Sequence, residues 1–259
     1  MTDLKNIQQH KKFKILLIGD SCVDEYYYGS CDRLNPEAPV PVLNVTRHET
    51  KLGMAANVKD NLEALGCVVD FITSDEISIK RRYIDDRSKQ HIVRVDEDKV
   101  SLPCDKQFTS AECNLYDAIV ISDYNKGFVS YELIETINKI YNGHVFVDTK
   151  KQDLTRLEGC YVKINEAEDN AKVSSCGNLI VTLGERGASY RGIIYPTEKV
   201  TVVDVCGAGD TFLAALVFYY LQTHVIEYAI EFANKCSAIA ITHRSVYTLT
   251  EKDIYSLKN

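Results

Sequence analysis

Short apolar runs that alternate with stretches of helical spacing constrain this chain more than any other feature. Each such run must be buried on both faces, and the helices between them supply the cover. The runs lie at 14–19 (KILLIG), 68–73, 117–122, 145–148, 161–164 and 179–183. Between them Ala56, Leu62 and Leu65 share one helix face closed by Gly66, and Leu133, Ile134, Ile137 and Ile140 share another behind Ser130 as N-cap. Strand, helix and strand in succession predict an α/β fold with a mostly parallel central sheet flanked by helices. The 259 residues suit one domain, read as 1–259, and no internal repeat or linker divides them.

Two segments fall outside that rhythm. RLNPEAPVPV at 33–42 holds three of the five prolines, which enforce an extended, strand-flanked excursion. From 79 to 95 apolar and charged residues alternate, which predicts exposed strands in a small sheet beside the main one.

Composition then removes several functions. A net charge of −7 argues against a nucleic-acid or anionic-membrane surface, so any phosphate must be held locally by backbone N–H groups, a metal ion and a few placed cations. No apolar run approaches the roughly 18 to 20 residues that span a bilayer. The polar start lacks the pattern of a secretory signal. Nine scattered cysteines form no CxxC pair and no zinc-ligand cluster, and they fit a cytoplasmic protein.

The chemistry-bearing segment is 201–221. Thr201 to Val205 reads as a β-branched strand, Cys206 to Gly209 as a glycine turn, and Asp210 as the opening of a long apolar helix. A strand, a glycine turn and a helix start make an anion site, because free first-turn N–H groups and the helix dipole both face it. Asp210 then stands where a carboxylate can receive a hydroxyl proton. The same string also reads as an ordinary strand-to-helix turn with a first-turn acid. Phe212 replaces the third glycine of a dinucleotide fingerprint, and no GxxxxGK[ST] occurs, so neither a Rossmann nor a P-loop site is indicated.

Several features in order carry more weight. Asp204 with Gly207-Ala208-Gly209-Asp210, the string Asn165-Glu-Ala-Glu168, and Thr182-Leu-Gly184 with Gly187 resemble the signatures of PfkB-type, ribokinase-like carbohydrate kinases. Gly19-Asp20, Asp24-Glu-Tyr-Tyr-Tyr-Gly29 and the proline string 33–42 resemble more narrowly the kinase domain of heptose-7-phosphate kinases. Further matches run through Gly53-Met-Ala-Ala-Asn57, the strand residues 79–84 and 92–96, Ser122-Asp123 and Val147-Asp-Thr-Lys150.

That resemblance implies a ribokinase-like fold with a small β lid from segments around 33–46 and 79–96, and an ATP-dependent kinase that phosphorylates the anomeric hydroxyl of a heptose 7-phosphate. It makes Asp210 the general base and Gly207, Ala208 and Gly209 the anion hole. Asp24, Gly53, Asn57, Arg94, Asp123 and Lys150 fall to the sugar phosphate. Asn165, Thr182, Gly184, Gly187 and Asn234 fall to ATP, and Glu168 and Asp204 to Mg²⁺. A homodimer through the lid is a further implication. Lys80, Arg81, Arg82 and Arg94 are the cations from which a substrate phosphate could draw one or two partners.

Two departures stand against the pattern. Met54 replaces the family's second glycine, and the helix-containing segment expected between Thr73 and Ile79 is missing, which predicts a trimmed edge to the sheet. They leave open a kinase for another sugar and a catalytically silent binding protein of the same fold.

Overall fold

The structure, a computed structural model, describes residues 12–257. In chain order its strands are β1 (Lys14–Gly19), β2 (Ser21–Leu34), β3 (Pro41–Met54), β4 (Val68–Ile72), β5 (Ser78–Asp85), β6 (His91–Glu97), β7 (Ala118–Asp123), β8 (Val145–Thr149), β9 (Tyr161–Asn165), β10 (Leu179–Thr182), β11 (Ala188–Tyr190) and β12 (Ile193–Tyr195). The helices are α1 (Ala55–Ala64), α2 (Ser110–Cys113), α3 (Tyr131–Ile140), α4 (Glu166–Ala171), α5 (Ala208–Thr223), α6 (Ile226–Ala240) and α7 (Glu251–Leu257).

Eight strands form the main sheet in the order β12-β11-β10-β9-β8-β7-β1-β4, parallel from β10 to β4 and closed at one end by the antiparallel pair β11 and β12. The apolar runs explain it. Along β1, Ile15 and Leu17 enter a core with α1, α5 and α6, while Leu16 and Ile18 enter a second core with α3. The strand is therefore sealed on both faces, as a central parallel strand must be. Helix α5 is buried from Asp210 to Leu221, so it is apolar all round and runs through the first core.

The lid is a separate four-stranded sheet in the order β3-β2-β5-β6. It is larger than the sequence suggests, because β2 and β3 are 14 residues each and reach back to Ser21 and forward to Met54. The proline string forms the turn at their far end, where the Asn35 N–H donates to the Val40 carbonyl at 2.8 Å. After β4 the chain passes straight into the lid at Ser78, which leaves β4 as the trimmed edge of the main sheet with Val68 exposed.

One expected element is absent. Residues 201–205 are not a strand: the N–H groups of Val203 and Asp204 bond to the Ile241 carbonyl at the end of α6, at 2.8 and 3.2 Å, and no ladder partner is present. β-branched residues favour a strand only where a pleated surface receives them, and here Val202, Val203 and Val205 face outward. Helix α5 also begins earlier than expected, at Ala208, with Gly207 as its N-cap. Among the described residues no helix is long and apolar enough to cross a membrane.

Candidate active site

The site lies where the carboxyl ends of β1, β7, β8 and β9 meet the first turn of α5, beneath the inner face of the lid. Gly207 turns the chain into α5 with φ of 79°, a left-handed conformation that disfavours side chains, and a Cβ there would stand 2.7 Å from the Asn57 amide nitrogen. Asn57 is fully buried on α1 and donates to Asp210 Oδ2 at 3.0 Å. Tyr124, just past β7, donates its hydroxyl to Asp210 Oδ1 at 2.7 Å.

Asp210 is 3% exposed. Burial pushes its carboxyl up to about 6, against the pull of the Asn57 and Tyr124 hydrogen bonds, with Asp148 adding repulsion and Lys163 opposing it. Burial and the neighbouring carboxylate also hold the Tyr124 hydroxyl well above its ordinary range, which keeps it a donor. A carboxylate that changes charge near neutrality, fixed by two donors, is equipped to take a proton.

Two supports were not anticipated from the sequence. Asn61, one turn along α1 from Asn57, donates to the Asn57 carbonyl and side-chain oxygens at 3.0 and 3.1 Å and accepts the Leu249 N–H, so the Asn57 amide can only point its nitrogen at Asp210. An Asn pair at i, i+4 on an apolar helix face was the available signal. Lys163 lies buried on β9, its Nζ 2.7 Å from Asp148 Oδ2 and 2.8 Å from where a Gly209 Cβ would stand. Its signal was a charge inside the run YVKIN.

Two cavities meet at Gly209 and Thr182. The larger, about 410 Å³, is lined by Thr182, Gly184, Gly187, Phe212, Asn234 and Ile241, with the Asn234 amide donating to the Tyr195 carbonyl at 2.8 Å. The smaller, about 220 Å³, is lined by Asp148, Lys150, Lys163, Asn165, Glu168 and Gly209. Asn165 and Glu168 form a reciprocal capping box at α4, with hydrogen bonds of 2.8 and 2.9 Å, and the other Glu168 oxygen accepts Lys150 Nζ at 2.7 Å. An apolar chamber leading to a polar one beside a helix N-terminus fits a base followed by its phosphates.

On the sugar side, Asp24 is buried in an ion pair with Arg82 and accepts the Cys22 thiol at 3.6 Å. A Cβ on Gly53 would collide with that carboxylate, so the glycine makes room for Asp24 itself. Asp123 is tied to Thr149 at 2.6 Å and Lys151 at 3.2 Å. Asp20 accepts the N–H groups of Tyr124 and Lys126 at 2.8 and 3.3 Å, fixing the loop that presents Tyr124. Asp204 stands apart from the phosphate chamber; both its oxygens accept backbone N–H groups, from Cys206 at 2.9 Å and Ser245 at 3.0 Å. Arg94 lies on exposed β6, bidentate to Asp96 at 2.6 Å.

Residues 152–253 match the profile of the pfkB family carbohydrate kinases. The fold is ribokinase-like: superposition on the ribokinase of Thermotoga maritima gives a TM-score of 0.70 at 16% identity over 95% of this chain and all of that one. Phosphofructokinase-2 of Escherichia coli gives 0.71 at 14% identity over 95% and 98%. Over residues 152–253 the chain is thus similar to the pfkB family carbohydrate kinases, a class of sugar kinases. Within that class it is similar to the bifunctional protein HldE of Aliarcobacter butzleri, 29% identical over 96% of this chain and 65% of that protein, and of Helicobacter pylori, 32% identical over 88% and 62%. The chain therefore spans a little under two thirds of these relatives.

Proposed function

We propose that this domain transfers the γ-phosphoryl group of ATP to the anomeric hydroxyl of a heptose 7-phosphate, giving the 1,7-bisphosphate and ADP. The observation that carries the reading is the Asp210 carboxyl, buried between Asn57 and Tyr124 at the mouth of the α5 N-terminus. The acceptor hydroxyl loses its proton to Asp210 as its oxygen bonds to the γ-phosphorus, and the bond from that phosphorus to the β,γ-bridging oxygen breaks. The first-turn amides of α5 take up the charge on the phosphoryl oxygens. Lys163 adds a buried positive charge beside Gly209.

Among the described residues no cluster of three or more His, Cys, Asp or Glu side chains makes a dedicated metal cage. That suits Mg²⁺, which keeps several waters and is bound through one or two carboxylates plus substrate phosphates. Glu168 and Asp148, both on the phosphate chamber, would hold it, and it would neutralise charge on the β- and γ-phosphates.

The heptose phosphate is the acceptor implied by the amino-terminal resemblance, and one cation supports a phosphorylated substrate. Of the four candidates, Arg82 is committed to Asp24, Arg94 to Asp96, and Arg81 to Glu25 and Glu97 at 2.8 and 2.9 Å. The Lys80 ammonium makes no salt bridge or hydrogen bond among the described residues and lies 5.6 Å over the ring of Tyr124, the tyrosine that touches the base. It is the cation free to take the acceptor's phosphate.

Two variants test the reading. Asp210→Asn should lower kcat about 10²–10⁴-fold while ATP binding, followed by calorimetry, stays within a few-fold. A catalytically silent protein would have no transfer to lose. Lys80→Met should raise KM for the sugar phosphate at least about tenfold, since charge-assisted phosphate contacts contribute about 1.5–3 kcal/mol, and leave any turnover of the unphosphorylated sugar unchanged. Equal effects on both sugars would reject Lys80 as the phosphate partner. Met54 favours keeping other sugars in the same coupled assay.

A further inference from the structure

Lys51 is the lid residue whose position the kinase reading does not use. It lies on the inner face of β3, opposite Asp24 in register, yet it does not pair with that carboxylate, which Arg82 already holds. Its half-buried ammonium leaves the lid and donates to Ser245 Oγ at 2.6 Å and to the Val246 carbonyl at 2.8 Å.

The segment it grips is strained and connected. Ser245 has φ of 59°, a left-handed conformation that a serine keeps only when its surroundings hold it there. Its N–H donates to Asp204 Oδ2 at 3.0 Å, and Asp204 Oδ1 accepts the N–H of Cys206 at 2.9 Å. Cys206 precedes Gly207, which caps α5. A second lid residue reaches the same turn: the Tyr26 hydroxyl accepts the Val246 N–H at 3.3 Å, and a Val246 methyl lies 3.4 Å from where a Gly207 Cβ would be. Burial works against the Lys51 ammonium, and the Asp204 charge works for it, so the position is costly and the carboxylate at the centre of the path compensates.

Resting on the kinase reading above, we propose that Lys51 is a positioning residue that couples the lid to the anion hole, through Ser245 and Asp204 to Cys206 and Gly207. Donors aimed at a transferring phosphoryl group act only when fixed in advance, and a misplacement of about 1 Å costs on the order of 10²-fold in rate. Lys51 therefore acts on turnover and not on nucleotide affinity, because it is not among the residues that line the larger cavity.

The test uses Lys51→Ala and Lys51→Arg in the full chain, with two independent readouts. In steady-state kinetics Lys51→Ala should lose about ten- to a hundredfold in kcat with KM for ATP within about threefold. Added ethylammonium, small enough to enter the space left by the truncated side chain, should restore part of that loss. Lys51→Arg, which keeps a cation, should retain more of the wild-type kcat than the alanine variant. In hydrogen exchange, peptides covering 203–209 and 244–247 should exchange faster in Lys51→Ala while those covering β7 and β8 stay unchanged.

Wild-type kcat in Lys51→Ala, or a loss that ethylammonium leaves untouched and that is matched by faster exchange throughout the chain, overturns the proposal. Should the unaltered protein transfer phosphate to no sugar, the kinase reading fails instead. The exchange measurement still decides whether Lys51 holds the loop, and unchanged exchange at 203–209 sinks the coupling by itself.

Discussion

At the residue scale the centre of the molecule is a carboxyl placed where charge is expensive. The Asp210 group rises from its ordinary 3.8 to about 6 because the fold buries it, and this has two opposite consequences. A protonated Asp210 cannot accept the hydroxyl proton, so kcat/KM should fall on the acid side with an apparent pKa near 6, as read from a pH–rate profile. Stability runs the other way. A folded-state pKa above the unfolded one means the folded form holds the proton more tightly, so its contribution is greatest below the unfolded pKa and is lost as pH rises through about 6. The shift corresponds to about 3 kcal/mol, so Asp210→Asn should melt higher than the unaltered protein at pH 8, with the gap closing towards pH 4. A gap of the same size at both pH values would show that Asp210 is not the buried, shifted acid described here.

At the scale of elements, the junction of β3 and α1 is where Met54 stands in place of the glycine that the resemblance leads one to expect. Met54 ends β3 and caps α1 at φ 58° and ψ −133°, a backbone conformation that suits glycine, while its side chain is buried. Strain of that kind costs about 1–3 kcal/mol and burying the methionine returns a similar amount, so the two nearly offset. Met54→Gly should therefore change unfolding free energy by less than about 1 kcal/mol, whereas Met54→Ala, which keeps the strain and loses the packing, should cost about 2–5 kcal/mol by urea denaturation. Similar losses in both variants would mean that the backbone at this junction is unstrained. The junction also decides access to the sugar side, since Gly53 beside it gives its space to the Asp24 carboxylate.

At the scale of the whole molecule, the lid has two unlike faces. Asp24, Tyr26, Tyr28 and Arg82 point inward and are buried, while the outward face stacks Tyr27 against His48 and Tyr83, with centroids 4.4 and 5.0 Å apart, and exposes Leu52, Val93 and Val95. An apolar, aromatic sheet face of this kind suits a second copy of the chain. We expect light scattering to report a dimer and Val93→Glu to return it to a monomer; a monomer at working concentration for the unaltered protein would remove the idea.

The main sheet and its two covering layers were legible in the sequence, because periodicity follows from burial and burial of a parallel strand leaves a continuous apolar run. The string 207–210 was by itself a common strand-to-helix turn, and only the ordered motifs at Asn165, Glu168 and Thr182 singled it out as a candidate phosphoryl site. The strand expected at 201–205 was not realised, since β-branching marks a residue that tolerates a ladder and cannot supply the neighbour that makes one. Asn61 and Lys163 left only a weak signal, an Asn pair and a charge inside an apolar run, and Lys51 left none. Their partners Leu249, Asp148 and Val246 lie 15 to 195 residues away in sequence and are brought near only by strand pairing and by the packing of the lid and α1 against the carboxyl ends of the sheet. The sequence by itself singled out the residues proposed for phosphoryl chemistry; the tertiary structure decided which of their charges are already spent on one another, leaving Asp210 to titrate near 6 and the Lys80 ammonium over the ring of Tyr124 with no ion pair among the described residues.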